Sequence, residues 1–178
     1  MTVTNPARPT ANARLAAHTV FDPEFRELRR LLRGGGRPDA HDFEAAIGLL
    51  LHVCGFSVAQ YGSSGPFRDG PDLVAVCGAR PIVLAVECTL REIDSKSKLL
   101  KLYHRWQQLA EAMPTHQVVA AVFTPLPHAE IAAHERERAQ QLGIAVASAE
   151  IIERLRDLAV DRVADAGGVL EQLRFEAS

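Results

Sequence analysis

Apolar positions along the chain change their period several times, and each change marks an element. Residues 1–22 mix Pro, Ala, Thr and Asn without a period and read as a flexible N-terminal arm. A short helix is expected from about Pro23 to Arg33, stopped by Gly34, Gly35 and Gly36. In DAHDFEAAIGLLLHVCGF, Phe43, Ile47, Leu50, Leu51 and Cys54 recur at helical spacing; Asp39 or Asp42 opens this helix and Gly55 closes it. FSVAQY (56–61) alternates as a strand does and leads into the glycine-rich YGSSGPFRDGP. DLVAVC (72–77), the turn GAR and PIVLAVEC (81–88) predict a hairpin. Asp94 or Ser95 then caps a helix with Leu99, Leu102, Tyr103, Trp106, Leu109 and Met113 on one stripe, ended by Pro114. A strand (117–123), a helix (128–143), a short strand (144–148) and a helix beginning AEIIERLRDLAVDRVA complete the pattern.

Strands joined as a hairpin, followed by strands that alternate with helices, predict an α/β fold: three layers, with a mixed central sheet flanked by helices. One domain is expected over 23–165, with 166–178 as a C-terminal tail. No internal repeat is present.

Composition narrows the function classes. A chain of 178 residues, 47% hydrophobic and 24% charged, is ordinary for a globular domain. Cys54, Cys77 and Cys88 are odd in number and lie in apolar segments, so they read as buried small hydrophobes, which fits a reducing cytoplasm. No apolar stretch reaches the length needed to cross a bilayer, and the first twenty residues lack a signal-like apolar block. A net charge of −2 excludes a general polycation, so any nucleic-acid contact must come from local clusters. There are two of these: Arg26, Arg29, Arg30, Arg33 and Arg37, and then Arg91, Lys96, Lys98, Lys101 and Arg105. Taken alone, each reads as a solvated helix face.

The hairpin changes that picture. A turn centred on Ala79 and Arg80 pairs Val76 with Val83 and sets Asp72 opposite Glu87; a three-residue loop without a bulge would instead put the two acids on opposite faces. Opposed side chains have Cβ atoms roughly 4.5–5.5 Å apart, and like charges there are destabilising. A shared proton would relieve the pair, and a divalent cation would relieve it better. Alternation puts Thr89 on the same face as Glu87. On the following helix, Lys98, Lys101 and Arg105 fall within about 60° of one another, whereas Lys96 points away. The chain has 17 arginines but only 3 lysines, all of them in this window. Lysine, unlike arginine, can lose or share its proton, which suits it to handling a water molecule.

In order along the chain, HDFE, GF, GPDLVAV, VECT and KLLKLYHR resemble the motifs of the PD-(D/E)XK nuclease superfamily, in its bacterial variant with a Glu-Cys-Thr signature. The resemblance spans about residues 41–150. It implies a restriction-endonuclease-like fold and Mg²⁺-dependent phosphodiester hydrolysis, with Mn²⁺ as a substitute ion. It further implies that Asp72 and Glu87 are metal ligands, joined by Glu44. Thr89 stands where the signature lysine belongs, and Lys98, or else Lys101, is the candidate to supply the ammonium from the next helix. The partner implied is nucleic acid, double-stranded DNA foremost, with Lys101, Arg105, Arg33 and Arg37 on its backbone and loop 61–70 bordering the groove. Cutting both strands would favour a homodimer.

Simpler roles exist for each acid: Glu44 as a charge near a helix N-terminus, Asp72 as a turn residue after Pro71, and Glu87 as a strand-end carboxylate reaching solvent or as the partner of Arg91 in an ion pair. One shared site accounts for all three. A nuclease fold kept as an inactive binding module is the rival reading. The seven histidines show no zinc-ligand spacing, and GSSG (62–65) lacks a P-loop lysine.

Overall fold

The computed structural model describes residues 9–33, 39–61, 70–161 and 165–174, with side chains from residue 13 onward. It is an α/β protein built on one five-stranded mixed sheet of order β1-β2-β3-β4-β5. The strands are β1 (Phe56–Gln60), β2 (Leu73–Cys77), β3 (Ile82–Cys88), β4 (Gln117–Phe123) and β5 (Ala145–Ala147). β1, β2 and β3 pair antiparallel, while β3, β4 and β5 run parallel. The helices are α1 (Pro9–Phe21), α2 (Arg26–Leu32), α3 (Ala40–Val53), α4 (Lys98–Ala112), α5 (Ala133–Gln141), α6 (Ala149–Val160) and α7 (Ala166–Arg174).

β3 is buried at all seven positions because both of its faces are covered. Its even-numbered residues Ile82, Leu84, Val86 and Cys88 join a core shared with α2, α3, α6 and α7. Ala85, on the other face, packs with Leu99 and Leu102 of α4 and Ala139 of α5. The strand pattern is therefore continuous rather than alternating, as expected between two helical layers. β2 differs: Leu73, Ala75 and Cys77 are buried, but Val74 and Val76 on the α4 side are only half-buried. α4 lies over β3 and β4, which leaves that face of β2 partly open.

Local chemistry sets the helix ends. Asp39 caps α3 by accepting from the His41 amide at 3.0 Å, and Gly55 follows the helix at φ +99°, a conformation glycine adopts without strain. α4 is entered through a 3₁₀ turn, Ser95–Ser97, in which Lys96 and Ser97 are left-handed. The Asp94 carboxylate accepts from the Leu99 amide at 3.1 Å, and Trp106 Nε1 ties the helix to the Val118 carbonyl at 2.9 Å.

The structure differs from the sequence pattern at both termini and at two helix starts. Residues 9–21 of the expected arm form α1, held where Arg14 Nη1 donates to the carbonyls of His52 and Phe56, each at 3.0 Å. The expected tail contains α7, which buries Val169, Leu170 and Leu173. At Gly167 an added Cβ would meet Arg80 Nη1 at 2.5 Å, so the absence of a side chain there lets the guanidinium pass. The helix read from Pro23 begins as a 3₁₀ turn with Glu24 and Phe25 left-handed, and the one read over 128–143 is a 3₁₀ turn (His128–Glu130) followed by α5. All three cysteines are free and buried. Among the described residues, no helix is long and apolar enough to cross a membrane.

Leu102 is fully buried between α4 and the sheet, while its neighbour Lys101 is exposed. Leu102→Ala is expected to cost about 2–5 kcal/mol in urea unfolding, and Lys101→Ala no more than about 0.5 kcal/mol.

Candidate functional site

Leu73 pairs with Val86 and Val76 with Val83, so the ladder carried one step further sets Asp72 opposite Glu87. This is the register expected for a turn centred on Ala79 and Arg80. The two acids lie at the end of the hairpin away from its turn, where the parallel strands β3 and β4 deliver their C-terminal ends. Ligand sites of open α/β sheets occur at such ends.

The β2–β3 ladder ends at Leu73 and Val86; carried on in the same register, Cys88 faces Pro71, which has no N–H to offer. The Cys88 peptide, one step past Glu87, is completed by side chains instead. Its N–H donates to Asp72 Oδ2 at 2.7 Å, and its carbonyl accepts from Lys98 Nζ at 3.1 Å. The same ammonium lies 3.9 Å from Glu87 Oε2, and Arg105 Nη1 pairs with Glu87 Oε1. The Cys88 backbone and the Glu87 carboxylate thus gather an acid from the residue before β2 and two cations from α4.

Glu87 is only 4% exposed. Burial, and then the Asp72 carboxylate, push its pKa up to about 8, against the opposing pull of Lys98 and Arg105. Its protonated form donates to Asp72, which raises the value further.

Glu44 approaches from the other layer, on α3, and is 7% exposed. Gln60, the last residue of β1, donates to its Oε2 at 3.1 Å, and His41 Nδ1 lies 3.8 Å from the same oxygen. Burial and the field of Asp72 raise its pKa, while Gln60, His41 and Lys98 act in the other direction. Glu44 therefore senses the cluster without forming part of its hydrogen-bonded centre.

The structure thus brings together Asp72, Glu87, Lys98 and Arg105, with Glu44 at longer range. Lys101 is exposed on α4. Arg33 is exposed at the end of α2 and is not among the groups acting on Glu44 or Glu87. Arg37 and most of the loop 61–70 lie outside the described residues. Thr89 does not present its hydroxyl to the acids, because Oγ1 donates to the Glu92 carbonyl at 3.1 Å. Arg105 is the residue whose place the sequence pattern understated: it shares a stripe with Lys98, two turns on, but contacts the buried acid directly. Gln60 and His41 gave no signal of their own.

Among the described residues, no group of three or more His, Cys, Asp or Glu side chains is gathered so as to hold a metal ion. A site needing three such ligands does not fit. A hard cation of the Mg²⁺ kind does, since it takes one or two carboxylates and fills its shell with water and phosphate oxygens. The opposed pair Asp72 and Glu87 offers that donor set.

Since Glu87 titrates higher in the folded protein, between its ordinary 4.5 and about 8 the folded state holds a proton that the unfolded chain has released. Stability therefore falls as pH rises through that window and levels off above it, by an amount on the order of a few kcal/mol. Carboxyl-detected NMR should place the Glu87 midpoint near 8, and Glu87→Gln should flatten the decline; a midpoint near 4.5 would show that the acids are not crowded. No family model matches the chain, and no curated protein matches it.

Proposed function

We propose that the protein is a metal-dependent nuclease of the PD-(D/E)XK type, restriction-endonuclease-like in fold, which hydrolyses phosphodiester bonds of nucleic acid, double-stranded DNA foremost. One observation carries this reading: Asp72 faces Glu87 across a strand pair, and Lys98 of the next helix reaches both the Cys88 carbonyl and the Glu87 carboxylate. Two hard anionic sites with an ammonium beside them are what metal-assisted phosphoryl chemistry requires.

Asp72 and Glu87 would hold Mg²⁺, or Mn²⁺ in its place, with Glu44 assisting through water. When bound, the ion supplies positive charge that lowers the pKa of a coordinated water and offsets charge developing on the phosphate. Lys98, anchored at 3.1 Å to a backbone carbonyl, presents its remaining N–H groups to the attacking water or to a phosphate oxygen. The half-open face of β2 beside Asp72 gives a strand access. Lys101 is exposed on the same helix and suits a backbone phosphate, a contact that positions without reading sequence. A homodimer would serve cleavage of both strands.

The Arg105–Glu87 pair favours a second reading. A guanidinium already on the acid, with Thr89 closing a turn where the signature lysine is absent, suits an inactive module that binds nucleic acid or a protein partner.

Plasmid cleavage with Mg²⁺ or Mn²⁺ separates the two. Asp72→Asn and Glu87→Gln are expected to abolish cleavage, and Lys98→Met to slow it by about 10²–10⁴-fold. Lys101→Ala is expected to weaken binding and lower the salt slope by about one. Full activity in either acid variant would overturn the nuclease reading; salt-sensitive binding without turnover under any metal would establish the second.

A further inference from the structure

The two cations on the acid pair are not equivalent. With Asp72, Glu87 and Glu44 all ionised, Lys98 and Arg105 leave one negative charge uncompensated, so a divalent ion cannot join without leaving an excess of positive charge in a largely buried place. One cation must give way. Lys98 is held independently of the acids by the Cys88 carbonyl at 3.1 Å. Arg105 engages only through the Glu87 carboxylate that the ion would occupy, whereas Lys98, although more exposed at 33% against 18% of the side chain, keeps its carbonyl anchor when that carboxylate is taken. Displacement therefore falls on Arg105. Once released it stands four residues from the exposed Lys101, on the same helix face, where a planar guanidinium can take two phosphate oxygens.

Resting on the reading of this site as a metal-dependent nuclease, we propose that Arg105 holds the cation's place in the metal-free protein and transfers to a backbone phosphate when the divalent ion binds, so that ion and nucleic acid bind cooperatively. The coupling is reciprocal: an ion on Glu87 frees Arg105 for phosphate, and phosphate on Arg105 frees Glu87 for the ion. The protein thereby resists binding the ion without its substrate. Lys101 belongs to the phosphate side of this exchange, while Lys98 stays on the Cys88 carbonyl throughout.

The test reads binding. Mn²⁺ affinity is measured by electron paramagnetic resonance with and without a short phosphorothioate duplex DNA, for the wild type, Arg105→Met and Glu87→Gln. Wild type should bind Mn²⁺ about tenfold more tightly when the duplex is present, a coupling of ordinary size. Arg105→Met should bind the ion about tenfold more tightly than wild type without DNA, having lost a charge-assisted competitor, and the duplex should then add nothing. In the wild type, arginine side-chain NMR should show the Glu87-bonded Arg105 signal, and Mg²⁺ should shift it to that of a solvated guanidinium; this readout needs no variant to fold. Equal or weaker Mn²⁺ binding by Arg105→Met, persistence of its DNA coupling, or an Arg105 signal unmoved at saturating Mg²⁺ would overturn the proposal. If the wild type itself binds neither ion, or Glu87→Gln binds Mn²⁺ as well as wild type does, the metal reading of the site fails instead.

Discussion

A carboxylate that is 4% exposed and faces a second acid across a strand pair must find opposite charge, keep a proton or leave the interior. Glu87 cannot leave, because it lies within a strand whose neighbours on both sides are core. Its raised pKa expresses the proton, and Lys98 and Arg105 express the opposite charge. The surrounding layout follows from that one requirement. α4 has to lie across β3 with its basic stripe toward the strand end, and the ridge Leu99, Leu102 and Trp106 holds it there by burying against the sheet.

The site lies where the layers meet. α3 covers one face of the hairpin and contributes Glu44; α4 lies over β3 and β4 on the other and contributes the cations. Midway along the sheet these groups would be separated by the backbone, but at the strand ends the sheet no longer divides them. Gln60 and Asp72 close adjacent strands at that same end, so a polar environment continues around it.

How much of this could be read in advance depended on which residues carry a periodic signal. The apolar runs DLVAVC and PIVLAVEC were enough for a hairpin, but its register rested on taking a turn centred on Ala79 and Arg80, because a one-residue shift leaves both runs equally apolar; the ladder from Leu73–Val86 to Val76–Val83 has that register. The stripe on α4 was legible from its helical spacing. α1 was not, since its placement rests on Arg14 reaching two carbonyls of α3 and β1, a contact without any pattern in the chain. α7 was hidden by Gly167 and Gly168, poor helix formers, one of which leaves room for Arg80. In the site, the opposition of Asp72 and Glu87 was legible only under the turn centred on Ala79 and Arg80. The inward turn of Arg105 and the pairing of Gln60 with Glu44 were not, because long side chains choose partners by three-dimensional reach.

Thr89 stands at the start of the connection that carries Lys98 to the acids. A longer side chain at that position would extend from the strand toward the acids. Threonine instead turns its hydroxyl onto the Glu92 carbonyl at 3.1 Å, while its amide continues the ladder to Phe123 at 3.0 Å. The chain therefore turns sharply on leaving β3. Asp94 then caps the Leu99 amide and donates its own N–H to Glu135 of α5 at 2.9 Å, tying the connection to the neighbouring helix. Two left-handed residues, Lys96 and Ser97, complete the entry, a conformation that costs non-glycine residues on the order of 1 kcal/mol each and persists only where surrounding contacts enforce it. The first residue after that entry is Lys98, already over the Cys88 carbonyl. Thr89 thus begins the turn that brings Lys98 over the Cys88 carbonyl, and the caps and strain of the connection hold it there.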